Sequence, residues 1–93
     1  MGRKARPKPR RLAEKLLRIR EALGVSQGEM FRRLDVEGFS EVKRISDYET
    51  GKNEPPLMVL LSYARLAGVC VDTLIDDKLD LPAKLPAKPK HTR

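Results

Sequence analysis

The sequence predicts an all-α domain, and three observations carry that prediction. Apolar residues recur at helical spacing: Leu12, Leu16, Ile19 and Leu23 step by four, three and four, and Met30 and Leu34 stand four apart. The gaps between such runs carry helix punctuation, with a Ser-x-x-Glu capping box at Ser26 and Glu29 and glycines at 24, 51 and 68 where C-terminal caps belong. No strand pattern is evident, and with two Tyr, two Phe and no Trp the core must be built from Leu, Ile, Val, Met and Ala, which suits small packed helices.

Residues 1–11 are a basic arm. Arg3, Lys4, Arg6, Lys8, Arg10 and Arg11 alternate with Pro7 and Pro9, with no acid, so the arm is expected to be disordered on its own. Two readings of it stand: an arm that neutralises phosphates or follows the minor groove, or a solubilising terminus. The first helix spans 12–23, with Glu14, Lys15, Arg18 and Glu21 mainly on its polar side and Gly24 as its stop. Ser26 starts the second helix. Gln27 stands at its N-terminus, where an amide and free backbone N–H groups can hold a phosphate; a surface glutamine is also often inert.

Gly38 with Asp35 and Glu37 makes 34–40 a loop, Phe39 a hydrophobic staple and Ser40 the cap of a third helix over 41–50. That helix turns Ile45 and Tyr48 inward and leaves Val42, Lys43, Arg44 and Asp47 on other faces. Pro55-Pro56 closes the next loop. A fourth helix over 57–66 presents Leu57, Leu60, Leu61, Ala64 and Ala67, and a short fifth one around 71–75 offers Leu74 and Ile75 to the core. The organisation expected is an arm (1–11), a helical domain (12–77) and a Pro/Lys-rich disordered tail (78–93).

Charge narrows the partners. The formal net charge is +7, which favours a polyanion, although basic ends can also serve solubility alone. No apolar run approaches the roughly 20 residues of a membrane span, and no signal-peptide core follows Met1. A single cysteine, Cys70, fits a reducing compartment, so a cytoplasmic location is expected. No nucleophile–base pair, metal-ligand cluster or cofactor loop is present, and His91 stands alone; no enzyme, metal or cofactor is expected.

In order along the chain, Leu23-Gly24-Val25-Ser26-Gln27, Ile45-Ser46-Asp47-Tyr48-Glu49-Thr50-Gly51-Lys52, Pro55 or Pro56, Leu60-Leu61, Ala64 and Leu66-Ala67-Gly68-Val69 resemble the phage-repressor and Cro-type helix-turn-helix domain, the Xre family. The resemblance implies a compact five-helix, lambda-repressor-like fold that lays its third helix in the major groove of double-stranded DNA. It implies base contacts from Val42, Lys43 and Asp47, and phosphate contacts from Gln27, Arg44, Thr50, Lys52 and Asn53. It also implies an ion pair between Arg20 and Glu49, which from the residues alone read as ordinary solvated charges.

The function implied is a sequence-specific transcriptional regulator, a repressor, binding as a weak homodimer; Leu74, Ile75, Leu79 and Leu81 are candidates for that contact. Two departures from the family pattern keep a second reading open. The turn from Leu34 to Glu41 is about four residues long in excess. The centre of the chain is also rich in acid, with Asp35, Glu37, Glu41, Asp47, Glu49 and Glu54. The second reading is a protein-interaction module, such as an antitoxin-like partner binder with secondary DNA binding.

Overall fold

The computed structural model describes residues 8–38 and 41–86. The staple expected at Phe39, the cap expected at Ser40, most of the arm (1–7) and the end of the tail (87–93) lie outside the described residues. Five helices form: α1 (Leu12–Leu23), α2 (Gln27–Leu34), α3 (Lys43–Glu49), α4 (Leu57–Ala67) and α5 (Val71–Ile75). Among the described residues there is no strand, and no helix is long and apolar enough to cross a membrane.

Local chemistry accounts for the helix ends. Gly24 and Gly68 take left-handed backbone (φ 72° and 75°) and close α1 and α4. The Ser26 hydroxyl accepts the Glu29 N–H at 3.1 Å, but the reciprocal half of the expected capping box is not made. The Glu29 carboxylate turns instead to Arg32 (2.7 Å) and Arg33 (3.1 Å). α3 is shorter than the expected 41–50. Glu41 and Val42 form a tighter turn before it, whose carbonyls accept the N–H groups of Arg44 and Ile45 three residues on.

The core sits where the five helices meet. Leu16, Ile19, Met30, Ile45, Tyr63, Ala67 and Leu74 are all fully buried. α1 is the central strut, packed against α3, α4 and α5, while α2 packs against α3 and α4. Each large apolar side chain so buried contributes about 1.5–3 kcal/mol of transfer free energy.

Three expectations need correction. Lys15, placed on the solvent side of α1, is buried at 2% exposure. It stands three residues after Leu12 and four before Ile19, within the apolar arc, and its ammonium caps backbone carbonyls as described below. Leu57, placed on the inner face of α4, is 80% exposed, because the buried arc is Val59, Leu60, Tyr63, Ala64 and Ala67. The chain after Asp77 does not leave the domain at once: Leu81 is buried and Leu85 packs on the core. Leu74 and Leu81 are thereby used within one chain, leaving only Ile75 (44%) and Leu79 (38%) of the expected dimer contact exposed.

Candidate nucleic-acid interface

α3 has an inner and an outer side because only two of its residues are apolar. Ile45 and Tyr48 sink into the core, and Val42 (41% exposed), Lys43 and Arg44 project outward. Asp47 is half-buried at the edge between these sides. The helix has only seven residues, too few to hold its shape unaided, so it depends on what grips it.

The grip is a charged clamp across α1, α2 and α3. Arg20 donates to Glu49 through Nε (2.6 Å to Oε2) and Nη2 (3.0 Å to Oε1), a two-pronged pair. Its third nitrogen donates to the Val25 carbonyl at 3.0 Å. Gln27 Nε2 donates to the same Glu49 Oε1 at 3.2 Å. The Glu49 side chain is 5% exposed and that of Arg20 19%, so neither charge retains much water if its partner is lost. The hydrogen bonds to Glu49 raise the Arg20 guanidinium pKa further, and the charge on Arg20 is permanent.

The loop after α3 folds back on the helix. The Asp47 carbonyl accepts the N–H groups of Lys52 (2.9 Å) and Asn53 (3.3 Å), and the Asp47 carboxylate accepts from Asn53 Nδ2 at 3.2 Å. Thr50 Oγ1 donates to the Ser46 carbonyl at 2.9 Å. Arg44 Nε lies 3.3 Å from Glu41 Oε1. Among the described residues, Lys43 and Lys52 have no ion-pair partner. Gly51 (φ 80°) is required by geometry: it takes left-handed backbone, and a methyl placed on it would stand 3.8 Å from the Ala13 Cβ. The loop carrying Thr50, Lys52 and Asn53 therefore passes over the first turn of α1, next to where the basic arm joins the domain.

That junction was invisible to sequence reasoning. α1 has no side-chain cap of its own. Asp77, 66 residues on, instead binds the chain just ahead of it: it accepts the Arg10 N–H (2.8 Å) and the Arg11 N–H (3.0 Å). Arg11 in turn donates to the Asp77 carbonyl (2.8 Å) and the Asp80 carboxylate (2.6 Å). The backbone N–H groups of Arg10 and Arg11 hold the Asp77 carboxyl below its ordinary pKa. Beside them the Lys15 ammonium donates to the carbonyls of Thr73 (2.8 Å), Asp76 (3.0 Å) and Leu79 (2.8 Å). Burial lowers the Lys15 pKa, with the Arg11 charge adding to it.

Family models, characterised proteins and solved structures were all compared with this chain, and none matches it.

The residues expected to touch DNA thus fall into two sets. Val42, Lys43, Arg44 and Lys52 reach solvent from α3 and its following loop, Arg44 while paired with Glu41. Gln27, Asp47, Thr50 and Asn53 spend polar atoms on neighbours within the same cluster. They retain capacity: Gln27 Nε2 carries a second hydrogen, and Asp47 Oδ1 accepts none of the bonds described here.

Proposed function

We propose that this protein is a sequence-specific DNA-binding transcriptional regulator, a repressor with a lambda-repressor-like domain of the Xre type. The observation that carries the reading is the clamped α3. A short helix with an outward Val42, Lys43 and Arg44 is anchored to α1 and α2 by Arg20, Gln27 and Glu49, the positions that the resemblance to that family pairs or places at DNA. In this reading α3 enters the major groove. Lys43 donates to guanine O6 and N7, Val42 covers a thymine methyl, and the free oxygen of Asp47 accepts from cytosine N4. Gln27, Arg44, Thr50, Lys52 and Asn53 hold phosphates on either side.

The charge distribution says where affinity must come from. Between residues 12 and 77 there are nine Lys and Arg against twelve Asp and Glu, so the helical domain alone repels DNA. The positive excess lies in 1–11 and 78–93. Asp77 and Asp80 bind Arg10 and Arg11, where the first of these joins the domain. Base discrimination then belongs to α3, and most of the salt-dependent binding belongs to the arm. A weak homodimer reading two half-sites about 34 Å apart completes the proposal.

The test is selection of bound sequences from random DNA at two salt concentrations, repeated with Lys43→Ala and Asp47→Ala. A preference relaxed at one base position by each variant supports the reading. Removal of residues 1–10 is expected to weaken all sequences alike and flatten the salt slope. Absence of binding at low salt overturns the reading.

A further inference from the structure

α4 carries apolar residues that the other described residues leave exposed. Leu57 is 80% exposed and Met58 61%, and Leu61 continues the face one turn on. Large apolar residues adjoining at the surface mark a candidate contact patch. Met58 also lies between two adjoining grooves. One, of about 520 Å³, runs between the end of α2 and α4 and is lined by Asp35, Val36, Glu37, Met58, Leu61 and Arg65. The other, of about 590 Å³, shares Val36, Glu37 and Met58 with it and adds Glu41, Arg44 and Glu54.

The charge around these grooves opposes that of the chain as a whole. Three carboxylates of the α2–α3 turn (Asp35, Glu37 and Glu41) face two guanidiniums, and Arg44 is already engaged by Glu41 at 3.3 Å. An apolar centre with an acidic rim repels phosphates, so this face does not suit DNA. We infer that the Met58 face of α4, with Val36, Leu61 and the acids of the α2–α3 turn, docks a basic amphipathic segment of a protein partner. Apolar side chains of that segment cover Met58 and Val36, and its lysines or arginines meet Asp35 and Glu37. The floor of the site is fixed: Ser62 Oγ donates to the Leu34 carbonyl at 2.7 Å and holds α4 against the end of α2. Asp35 is the one described non-glycine residue with positive φ (46°), and it closes α2 at the edge of the site.

The inference stands apart from DNA binding, since none of these contacts except Arg44, which is not needed for docking, is assigned to the nucleic acid. The test uses the full chain, labelled with nitrogen-15, and a synthetic helical peptide with leucines every third or fourth residue and lysines between. A twin peptide carries glutamates in place of the lysines. The lysine peptide is expected to shift amides in 34–37 and 57–65, and the glutamate twin to leave them in place. Asp35→Asn with Glu37→Gln should weaken the lysine peptide by roughly tenfold, and Met58→Lys should do the same. Asn tolerates the left-handed backbone and position 58 faces solvent, so both variants keep the fold by circular dichroism. The inference fails if the amides do not move, if the twin binds equally, if shifts centre elsewhere, or if the variants bind as well as the parent. Concentration-dependent shifts of the same amides without peptide would overturn it in favour of a second copy of this chain.

Discussion

The two ends of α1 are both held by cations, but in opposite ways. At its C-terminal end Arg20 meets the carboxylate of Glu49, a side chain on α3. At its N-terminal end Lys15 meets the backbone carbonyls of Thr73, Asp76 and Leu79. The first clamp joins two charges, either of which becomes a buried liability if the other is removed. The second joins one charge to dipoles that water can serve almost as well once the chain loosens. The first also fixes the orientation of α3, whereas the second ties down α5 and the chain beyond it. In the proposed reading DNA binding therefore depends on one end of α1, and the extent of the folded domain on the other.

Arg20→Ala tests the larger of these effects. It strands Glu49 at 5% exposure and is expected to cost about 3 kcal/mol in urea denaturation. It should also lower DNA affinity, because α3 loses its anchor. Arg20→Ala with Glu49→Ala should recover part of that loss, since the stranded charge is gone too. Lys15→Met comes next. Methionine fills the buried channel of the lysine stem, but three carbonyls lose a charged donor, while the cost of burying the ammonium is removed. The net loss is expected to be about 2 kcal/mol. Its distinguishing mark is location: amide protection should fall in 73–81 while DNA affinity in the folded state is kept. If Lys15→Met harms DNA binding as much as Arg20→Ala does, the division of labour along α1 is wrong.

How legible these features were depends on how far apart their parts lie in the chain. The limits of α1, the Ser26 cap and the glycine stops at 24 and 68 rest on interactions spanning a few residues, and the sequence carries them openly. Lys15 was misplaced although its position between Leu12 and Ile19 put it on the inner arc. Its charge argued for solvent, and the carbonyls that accept it lie 58 to 64 residues away. The segment Leu57-Met58-Val59-Leu60-Leu61 is apolar on every side, so periodicity alone left its inner face undetermined. Packing against α1, α2 and α5 decides that Val59 and Leu60 turn in. The Arg20–Glu49 pair spans 29 residues and had no signal in spacing; the family resemblance pointed to it. The bonds from the Arg10 and Arg11 N–H groups to Asp77 join residues 66 and 67 apart, and nothing in spacing announces them.

Tyr63 sharpens the picture of the Arg20 end. Its hydroxyl is buried with no hydrogen-bond partner among the described residues, and Glu49 is near enough to act on it. Burial first, then the Glu49 charge, pushes the phenol far above its ordinary value. Tyr63→Phe removes an unsatisfied group and is expected to be neutral or to gain up to about 1 kcal/mol. The effect on pH dependence is the more specific one. Because the folded pKa is raised, the contribution of the neutral phenol is whole below the unfolded value, about 10, and is lost as pH rises beyond it. The parent should lose stability above that pH faster than Tyr63→Phe does. Parallel alkaline slopes would mean that Tyr63 ionises without resistance, and so is not sealed.

The smallest effect belongs to the N-terminal end and has the opposite pH sign. Asp77→Asn keeps the shape and one acceptor oxygen but removes the charge facing the Arg10 and Arg11 amides, just ahead of α1. Since those amides hold the carboxyl below its ordinary value, its contribution is present above the unfolded pKa, about 3.9, and is lost as pH falls through the lower folded value. Asp77→Asn should therefore melt a few degrees below the parent at neutral pH, and the two should converge as the pH falls through the lowered folded value. Amide protection at Arg10 and Arg11 should follow the same course, because those are the donors. A melting gap that persists in acid would show that Asp77 acts through hydrogen-bond geometry alone. The arm would then be held by a bond that acid leaves intact, and its charged tether would reduce to Arg11 with Asp80.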